Sequence, residues 1–182
     1  MFSSLIQKKL SEMVEHNIGK YQMEFRSNIS TTENIHIVRQ IYEKCFEYQI
    51  DLSNIFIGFE QAFDSMKRSA ISKSLDLFSV PSKLIRLIKL TLSKCRSEVK
   101  INNDSMEQIE INLGVRQGDS LFATFLCLVI DTVMRKLDLR GNINTRFKQM
   151  CAYADDILIT ASTKQALNRA FNKLTDEVEK LV

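Results

Sequence analysis

The chain has 182 residues, 45% of them hydrophobic and 26% charged, a globular composition that excludes intrinsic disorder. Five glycines and one proline are too few for an all-β sandwich with many tight turns. The net charge of +3 permits nucleic-acid binding but is weaker than the basic footprint of a dedicated binding domain.

The predicted elements mix helices with short strands along the whole chain. Apolar residues recur every three or four positions in the helical segments, and β-branched or aromatic residues cluster in the strands. In chain order the elements are helices at 3–16 and 33–49, a strand at 54–59, a helix ending near residue 77, a helix opened by Pro81, a hairpin of 99–101 with 107–113, a helix at 119–137, strands at 150–153 and 157–160, and a helix at 164–181. This order predicts an α+β fold, an antiparallel sheet backed by helices.

The first two helices have apolar residues at helical spacing, and these residues are their expected core faces. The faces comprise Leu5, Leu10, Met13 and Val14 in the first helix, and Ile35, Val38, Ile41, Tyr42 and Cys45 in the second.

Neither the cysteines nor the apolar segments indicate an extracellular or membrane protein. The four cysteines stand far apart, no pair has metal-ligand or redox spacing, and no secretory signal follows Met1. The longest apolar stretch, residues 121–130, is about half as long as a bilayer-spanning helix. We expect an intracellular protein with no membrane partner. The sequence distinguishes neither nucleus from cytoplasm nor a monomer from an oligomer.

Two adjacent carboxylates, Asp155 and Asp156, stand between the apolar strands at 150–153 and 157–160. Such a pair repels itself and resists desolvation unless positive charge is near. A hairpin tip that presents both to a hard divalent cation such as Mg²⁺ resolves that conflict and suits a two-metal phosphoryl transfer. The alternative is a solvated turn, because Asp favours turns.

Two further motifs precede this pair. In Leu113–Leu121, two glycines allow close backbone approach, Arg116 and Gln117 suit phosphate and base contacts, and Asp119 or Ser120 caps the next helix. The alternative for this motif is a loop with a helix cap. In Phe56–Met66 a strand passes into a helix, and its aromatic residues, taken alone, indicate core rather than site.

In this order and spacing the three motifs resemble the palm of a reverse transcriptase, most closely that of non-LTR (LINE-type) retrotransposons such as the animal endonuclease–reverse transcriptase proteins. The resemblance covers nearly the whole chain, from Tyr21-Gln22 onward. It implies a palm at about 51–182, a fingers remnant at about 1–50, and no thumb.

The resemblance also implies a catalytic centre on the hairpin tip. Asp155 and Asp156 would be the catalytic carboxylates and ligands of Mg²⁺ or Mn²⁺, with Asp155 the principal one. The partners would be an RNA template, a DNA primer and deoxynucleoside triphosphates. Phe63 would exclude a ribose 2′-OH from the nucleotide pocket. Gln117 and Gly118 would lie beside the nucleotide and template base.

Other residues would contact the primer and the nucleic-acid backbone. By the same resemblance Tyr153 touches the primer end, and the contacts to nucleic acid come from Arg26, Arg116, Lys94 and Arg96. The whole basic segment from Lys83 to Lys100 has a competing interpretation as a solvated face.

The sequence departs from the family pattern at the first motif. The family has an aspartate four residues before the motif alanine, and this chain has Gly58 there. The three-carboxylate site is thereby reduced to two, which leaves a metal pair under-neutralised and weakly bound if bound at all. Glu60 is an improbable substitute, and Asp64 is too distant along an extended strand. Glycine in a strand can also mark a bulge, but we favour drift after loss of selection.

Further departures lead to the functional hypothesis. Glu24 and Ile29 replace a glycine and a basic residue of the pattern. We therefore expect a degenerate reverse-transcriptase domain, an RNA-directed DNA polymerase with impaired or absent activity. A non-catalytic nucleic-acid-binding remnant of the same fold is the alternative. An unrelated helical interaction protein, using residues 33–49 and 164–181, would leave the motif order unexplained.

Overall fold

The fold was obtained as a computed structural model. It describes residues 2–19, 21–22, 30–59, 64–93, 95–98, 100–101, 104–105, 108–111, 113–115, 118–137, 148–153 and 156–180.

Helices and strands are intermixed along the chain as the sequence predicts, and the α+β class is confirmed. The elements are α1 Phe2–Val14, α2 Thr31–Glu47, β1 Ser53–Gly58, α3 Arg68–Leu77, α4 Ser82–Leu92, β2 Arg96–Ser97, β3 Lys100–Ile101, β4 Asp104–Ser105, β5 Ile109–Glu110, α5 Ser120–Met134, β6 Lys148–Tyr153, β7 Asp156–Ala161 and α6 Lys164–Glu179.

A three-stranded antiparallel sheet in the order β1-β7-β6 positions the candidate site. The central strand β7 is exposed only at its first residue, Asp156, and buried from Ile157 to Ala161. A central strand buried on both faces is typically apolar throughout, and the Ile-Leu-Ile run of β7 fits this rule. Burial therefore fixes the register, because a one-residue slip would bring Asp156 into the core.

The core lies between this sheet and the helices, and α5 runs through it. From Leu121 to Met134 only Phe122 and Ala123 escape full burial. Asp119 caps α5, since its Oδ1 accepts the Leu121 backbone N–H at 3.1 Å. The sequence leaves Asp119 and Ser120 as alternatives for this cap, and the structure shows that it is Asp119. Helices α1 and α3 pack against α5, and α6 packs against β7 and β1.

The predicted single hairpin of 99–101 with 107–113 is wrong in its pairing. Instead, β3 pairs with β4, while β2 pairs with β5 in the register Arg96↔Glu110 and Ser97↔Ile109. Cys95, at 5% exposure, lies at the base of the ribbon, next to β2. Its carbonyl accepts the Ile111 N–H at 2.9 Å.

The predicted core faces of α1 and α2 are partly wrong. In α1 the buried row is Ile6, Leu10 and Val14, whereas Leu5 and Met13 are 58% and 45% exposed. In α2 the fully buried residues are Ile41 and Cys45. A row at strict four-residue spacing is narrower than the apolar face that the sequence offers, so the neighbouring hydrophobic residues stay at the surface.

A buried carboxylate on α5 joins the segment after α1 to the rest of the fold. Asp131 is 0% exposed. Its Oδ1 accepts the Gly19 N–H at 2.8 Å and the Tyr21 hydroxyl at 2.7 Å. Its Oδ2 accepts Arg135 Nε at 2.5 Å. Three donors around one carboxylate compensate its desolvation.

The same segment reaches the sheet. The Tyr21 carbonyl accepts the Ala152 N–H at 2.8 Å, and Gln22 bridges Ala152 in parallel. Burial and the hydrogen bond to Asp131 raise the pKa of the Tyr21 phenol well above its usual range. Because Ala152 precedes Tyr153 on β6, Asp131 indirectly supports the hairpin that carries the acidic pair.

Candidate functional site

Gly58 and Asp156 face each other across two strands at the exposed end of the sheet. They are register partners in the β1–β7 ladder, and Asp156 is also opposite Tyr153 in the β6–β7 ladder. Directly opposed residues project to the same side of a sheet. A Cβ placed on Gly58 would lie 3.4 Å from Oδ1 of Asp156. A side chain at position 58 would therefore lie against the Asp156 carboxylate.

A groove of about 640 Å³ lies over this face of the sheet. One wall is α2, through Ile35, Val38 and Arg39 among others, and Gly58, Tyr153 and Asp156 line the opposite side with their strand neighbours. Phe56 is 77% exposed and Ile35 is 67% exposed, so the groove has an apolar rim beside the carboxylate.

Cys151 lies in the same groove, two residues before Tyr153 on β6. Burial raises the pKa of its thiol. Cys151 forms a small, largely apolar part of the groove wall.

The loop that precedes α5 is built by two glycines with positive φ angles, 71° at Gly114 and 85° at Gly118. The Gly114 N–H donates to the Met66 carbonyl at 3.0 Å. Arg68 donates to the Ile111 carbonyl at 2.7 Å and to the Gly114 carbonyl at 3.4 Å. These bonds hold the loop against the start of α3.

Asp119 connects this loop to the first helix. Its Oδ2 accepts the Ser3 hydroxyl at 3.1 Å, while its Oδ1 caps α5. A second cavity, of about 390 Å³, lies beside the loop and is lined by Asp64, Arg68, Arg96 and Asp119 among others. The structure therefore places Arg96 and Asp64 with the loop, in a cavity separate from the groove over Asp156.

Six of the predicted site residues lie outside the described residues. They are Arg26, Phe63, Lys94, Arg116, Gln117 and Asp155. Of the others, Gly58, Tyr153 and Asp156 line one groove. Gly118 is exposed at the start of α5, and Arg96 is exposed on β2.

Sequence reasoning missed Asp131 and its partners. The available signal was an acidic residue inside the most apolar helix of the chain, which must be paired if it is buried. Nothing in the sequence identified Tyr21 and Arg135 as the partners.

The described side chains provide an incomplete set of donors for a divalent metal. Within the ranges that the structure covers, no three His, Cys, Asp or Glu side chains converge. Asp156 is exposed at the strand end, and glycine at position 58 supplies no oxygen. Mg²⁺ requires near-octahedral oxygen coordination, and a metal pair requires several carboxylates. The described part of the site fits such a pair poorly.

Solved structures with a similar fold include telomerases. Apo telomerase from Candida tropicalis superimposes with a TM-score of 0.73 at 15% identity, over 99% of this chain and 33% of that chain. Candida albicans telomerase, in complex with a TWJ fragment of telomeric RNA, gives a TM-score of 0.69 at 11% identity, over 99% and 32%. At these identities the likeness shows the fold alone. The fold is a polymerase fold of the telomerase reverse transcriptase type, which confirms the predicted architecture.

Sequence similarity then identifies the family. The reverse transcriptase (RNA-dependent DNA polymerase) family pattern matches residues 1–181, and the chain belongs to this family. It is 24% identical over 137 residues to the Retrovirus-related Pol polyprotein from type-2 retrotransposable element R2DM of Drosophila melanogaster, covering 74% of this chain and 12% of that protein. It is also 24% identical over 150 residues to the Transposon TX1 uncharacterized 149 kDa protein of Xenopus laevis, covering 76% and 11%.

These relatives confirm a reverse transcriptase domain of the LINE type, from a retrotransposon. The chain spans about an eighth of the length of the curated relatives that it matches. Among the helices that the structure describes, none is both long and apolar enough to cross a lipid bilayer.

Proposed function

We propose that this reverse transcriptase domain is catalytically impaired because Gly58 stands where the family pattern has a metal-binding aspartate. One observation carries the proposal. Position 58 is opposite Asp156, and a Cβ atom added to Gly58 would lie 3.4 Å from an oxygen of the Asp156 carboxylate. An aspartate there would complete a cluster of oxygen ligands with the acidic pair. Glycine removes one ligand and leaves the strand pairing unchanged.

The loss affects catalysis more than folding. Two-metal phosphoryl transfer depends on both ions being held in place by several carboxylates. With one carboxylate missing, positive charge in the centre is under-neutralised, and bound Mg²⁺ or Mn²⁺ is weak. We therefore derive no catalytic step through a metal for this chain.

Asp64 does not replace the missing ligand. It lines the cavity beside the loop with Arg68 and Asp119, whereas Gly58 and Asp156 line the groove under α2. Glu60 lies outside the described residues.

The partners follow from the family. The family description itself names RNA-dependent DNA synthesis, so we infer an RNA template, a DNA primer and deoxynucleoside triphosphates, without a membrane partner. The nucleotide contacts are assigned to Phe63, Gln117, Gly118 and Tyr153. The contacts to nucleic acid are assigned to Arg26, Arg116, Lys94 and Arg96. The division into fingers at about 1–50 and palm at about 51–182 belongs to the same proposal.

A second function is favoured by the intact sheet. The β1–β7 ladder continues without interruption to the Gly58–Asp156 pair, so the fold has absorbed the substitution. A folded domain without a complete metal centre can still hold RNA or DNA. This second candidate is a non-catalytic nucleic-acid-binding domain.

Primer extension on an RNA template tests the proposal. We expect no extension by the wild type with Mg²⁺ or Mn²⁺, and measurable extension by Gly58→Asp that disappears in Gly58→Asp with Asp156→Ala. Gly58→Asn is the matched control, because it has nearly the same size without the charge. Extension by the wild type that Asp155→Ala abolishes would overturn the proposed impairment.

A further inference from the structure

Helix α4 has a one-sided distribution of charge. Its inner side is formed by Leu84, Ile85 and Ile88, which are buried, and α4 packs against α3 and α1. Its outer side carries Lys83, Arg86 and Lys89, all exposed. No acidic residue occurs between Ser82 and Leu92.

The three cations form one row. Each follows the previous one by three residues, which places neighbouring Cβ atoms roughly 5–6 Å apart on a helix surface. Ser82 is exposed at the start of the row and adds a hydroxyl group. The spacing allows long side chains to contact successive phosphates of one strand.

Several other exposed cations of the fold are neutralised locally. Arg39 pairs with Glu43, Lys44 with Glu47, and both Lys136 and Lys180 pair with Glu177. Within the described part of the chain, the structure assigns no ion pair to the α4 row. The acidic residues nearest in sequence, Asp76 and Glu98, lie beyond the two ends of α4.

The row leads toward the loop that precedes α5. Thr91 and Leu92, at the end of α4, line the 390 Å³ cavity together with Arg96 and Asp119. Arg96 is exposed on β2 opposite Glu110, and Asp64 also lines the cavity, so the uncompensated positive charge is on α4 itself. Charge complementarity therefore favours a phosphate backbone that runs along α4, outside the groove over Gly58 and Asp156.

We propose that Lys83, Arg86 and Lys89 form an auxiliary nucleic-acid-binding surface that contacts the phosphates of one strand. The surface is separate from the metal centre, so a chain without polymerase activity would retain it. The inference rests on the proposed nucleic-acid partner and adds the surface that binds it.

Binding to a fluorescent 20-nucleotide RNA, measured by anisotropy over a salt series, tests this surface. The variant is Lys83→Gln, Arg86→Gln, Lys89→Gln. The matched control is Lys164→Gln, Arg169→Gln, Lys173→Gln on α6, which removes the same charge from exposed positions. Helix α6 also contains Asp176, Glu177 and Glu179, so its net charge is balanced. The same measurement is repeated with single-stranded DNA of the same sequence.

The expected result is a loss of affinity on the order of tenfold for the α4 variant at low salt. Its salt slope should become shallower by about 2, at roughly 0.7 per phosphate contact on a single strand. The α6 control should stay close to the wild type. Equal losses in both variants would overturn the proposal and indicate a net-charge effect. No binding by wild type and control alike would refute the nucleic-acid partner itself.

A measurement on the wild type removes any dependence on variant folding. Acetylation of lysines, read by mass spectrometry with and without RNA, should show protection of Lys83 and Lys89 and none of Lys164 and Lys173. Uniform protection, or none on α4, would contradict the assigned surface. Stronger protection by RNA than by DNA would identify RNA as the ligand, and equal protection would assign the surface to phosphate alone.

Discussion

Gly58 and Asp156 are direct partners across β1 and β7. A Cβ atom added to Gly58 would lie 3.4 Å from Oδ1 of the Asp156 carboxylate. The absent side chain and the retained carboxylate thus share one site. Under the proposed function, the chain keeps the sheet that presents the acidic residues and lacks one metal-binding carboxylate of the family pattern.

Substituting alanine for glycine should have opposite effects at two positions. Gly58 lies in a regular strand without a positive φ, so Gly58→Ala should leave stability unchanged or raise it by about 0.4–1 kcal/mol. Gly118 has a φ of 85° with open space around it, so Gly118→Ala should cost roughly 1–2 kcal/mol through backbone strain alone. Urea unfolding of both variants measures the difference. Equal midpoints would contradict the assigned loop conformation.

Removing the buried carboxylate of Asp131 should strongly destabilise the fold. Asp131→Ala leaves the donors of Gly19, Tyr21 and Arg135 without their acceptor, at a cost of roughly 3–5 kcal/mol. Tyr21→Phe removes one of the three bonds and should cost about 1–2 kcal/mol. Thermal unfolding followed by circular dichroism gives both values.

The control for this network is Tyr42→Phe. Tyr42 accepts a hydrogen bond from the Asn54 side chain at an exposed site, at 2.7 Å. Its loss should change stability by less than about 0.5 kcal/mol. If Tyr42→Phe costs as much as Tyr21→Phe, burial of the Asp131 network does not explain its strength.

Glu177 should titrate in the acid range. Hydrogen bonds from Lys136 and then Lys180 lower the pKa of its carboxyl from 4.5 to about 2. A pKa lowered by folding contributes stability above the unfolded value, and that contribution disappears as the pH falls from about 4.5 toward 2. Carbon-13 NMR of the Glu177 carboxyl should show this low midpoint, and Lys136→Ala should raise it. A midpoint near 4.5 in the wild type would refute the ion pairs of Glu177 with Lys136 and Lys180.

The sequence predicts those parts of the fold in which a run of apolar residues is buried as a whole. The apolar strand β7 and the apolar length of α5 are correct, because both depend on local composition. The exposure of Leu5 and Met13 was not predictable, since α1 offers more apolar residues than α5 covers. The pairing of β2 with β5 was also missed, because strands of two residues are too short to show an apolar pattern in the sequence.

The candidate site was predictable only in part. The three motifs and their order led to Gly58, Tyr153 and Asp156, which the sheet brings together. The groove wall on α2 was not predictable, because it depends on how α2 packs across the sheet. The Tyr21–Asp131 hydrogen bond joins residues 110 positions apart, and no local pattern encodes such a contact.

The binding of Mn²⁺ to wild type and Gly58→Asp, followed by electron paramagnetic resonance, tests the central claim most directly. Gly58→Asp should bind Mn²⁺ at least roughly tenfold more tightly than the wild type, since each added carboxylate ligand contributes charge and coordination. Gly58→Asn should bind like the wild type, and Asp156→Ala should cancel the gain. Equal Mn²⁺ affinities for wild type and Gly58→Asp would contradict the claim that position 58 is the missing ligand of the metal centre.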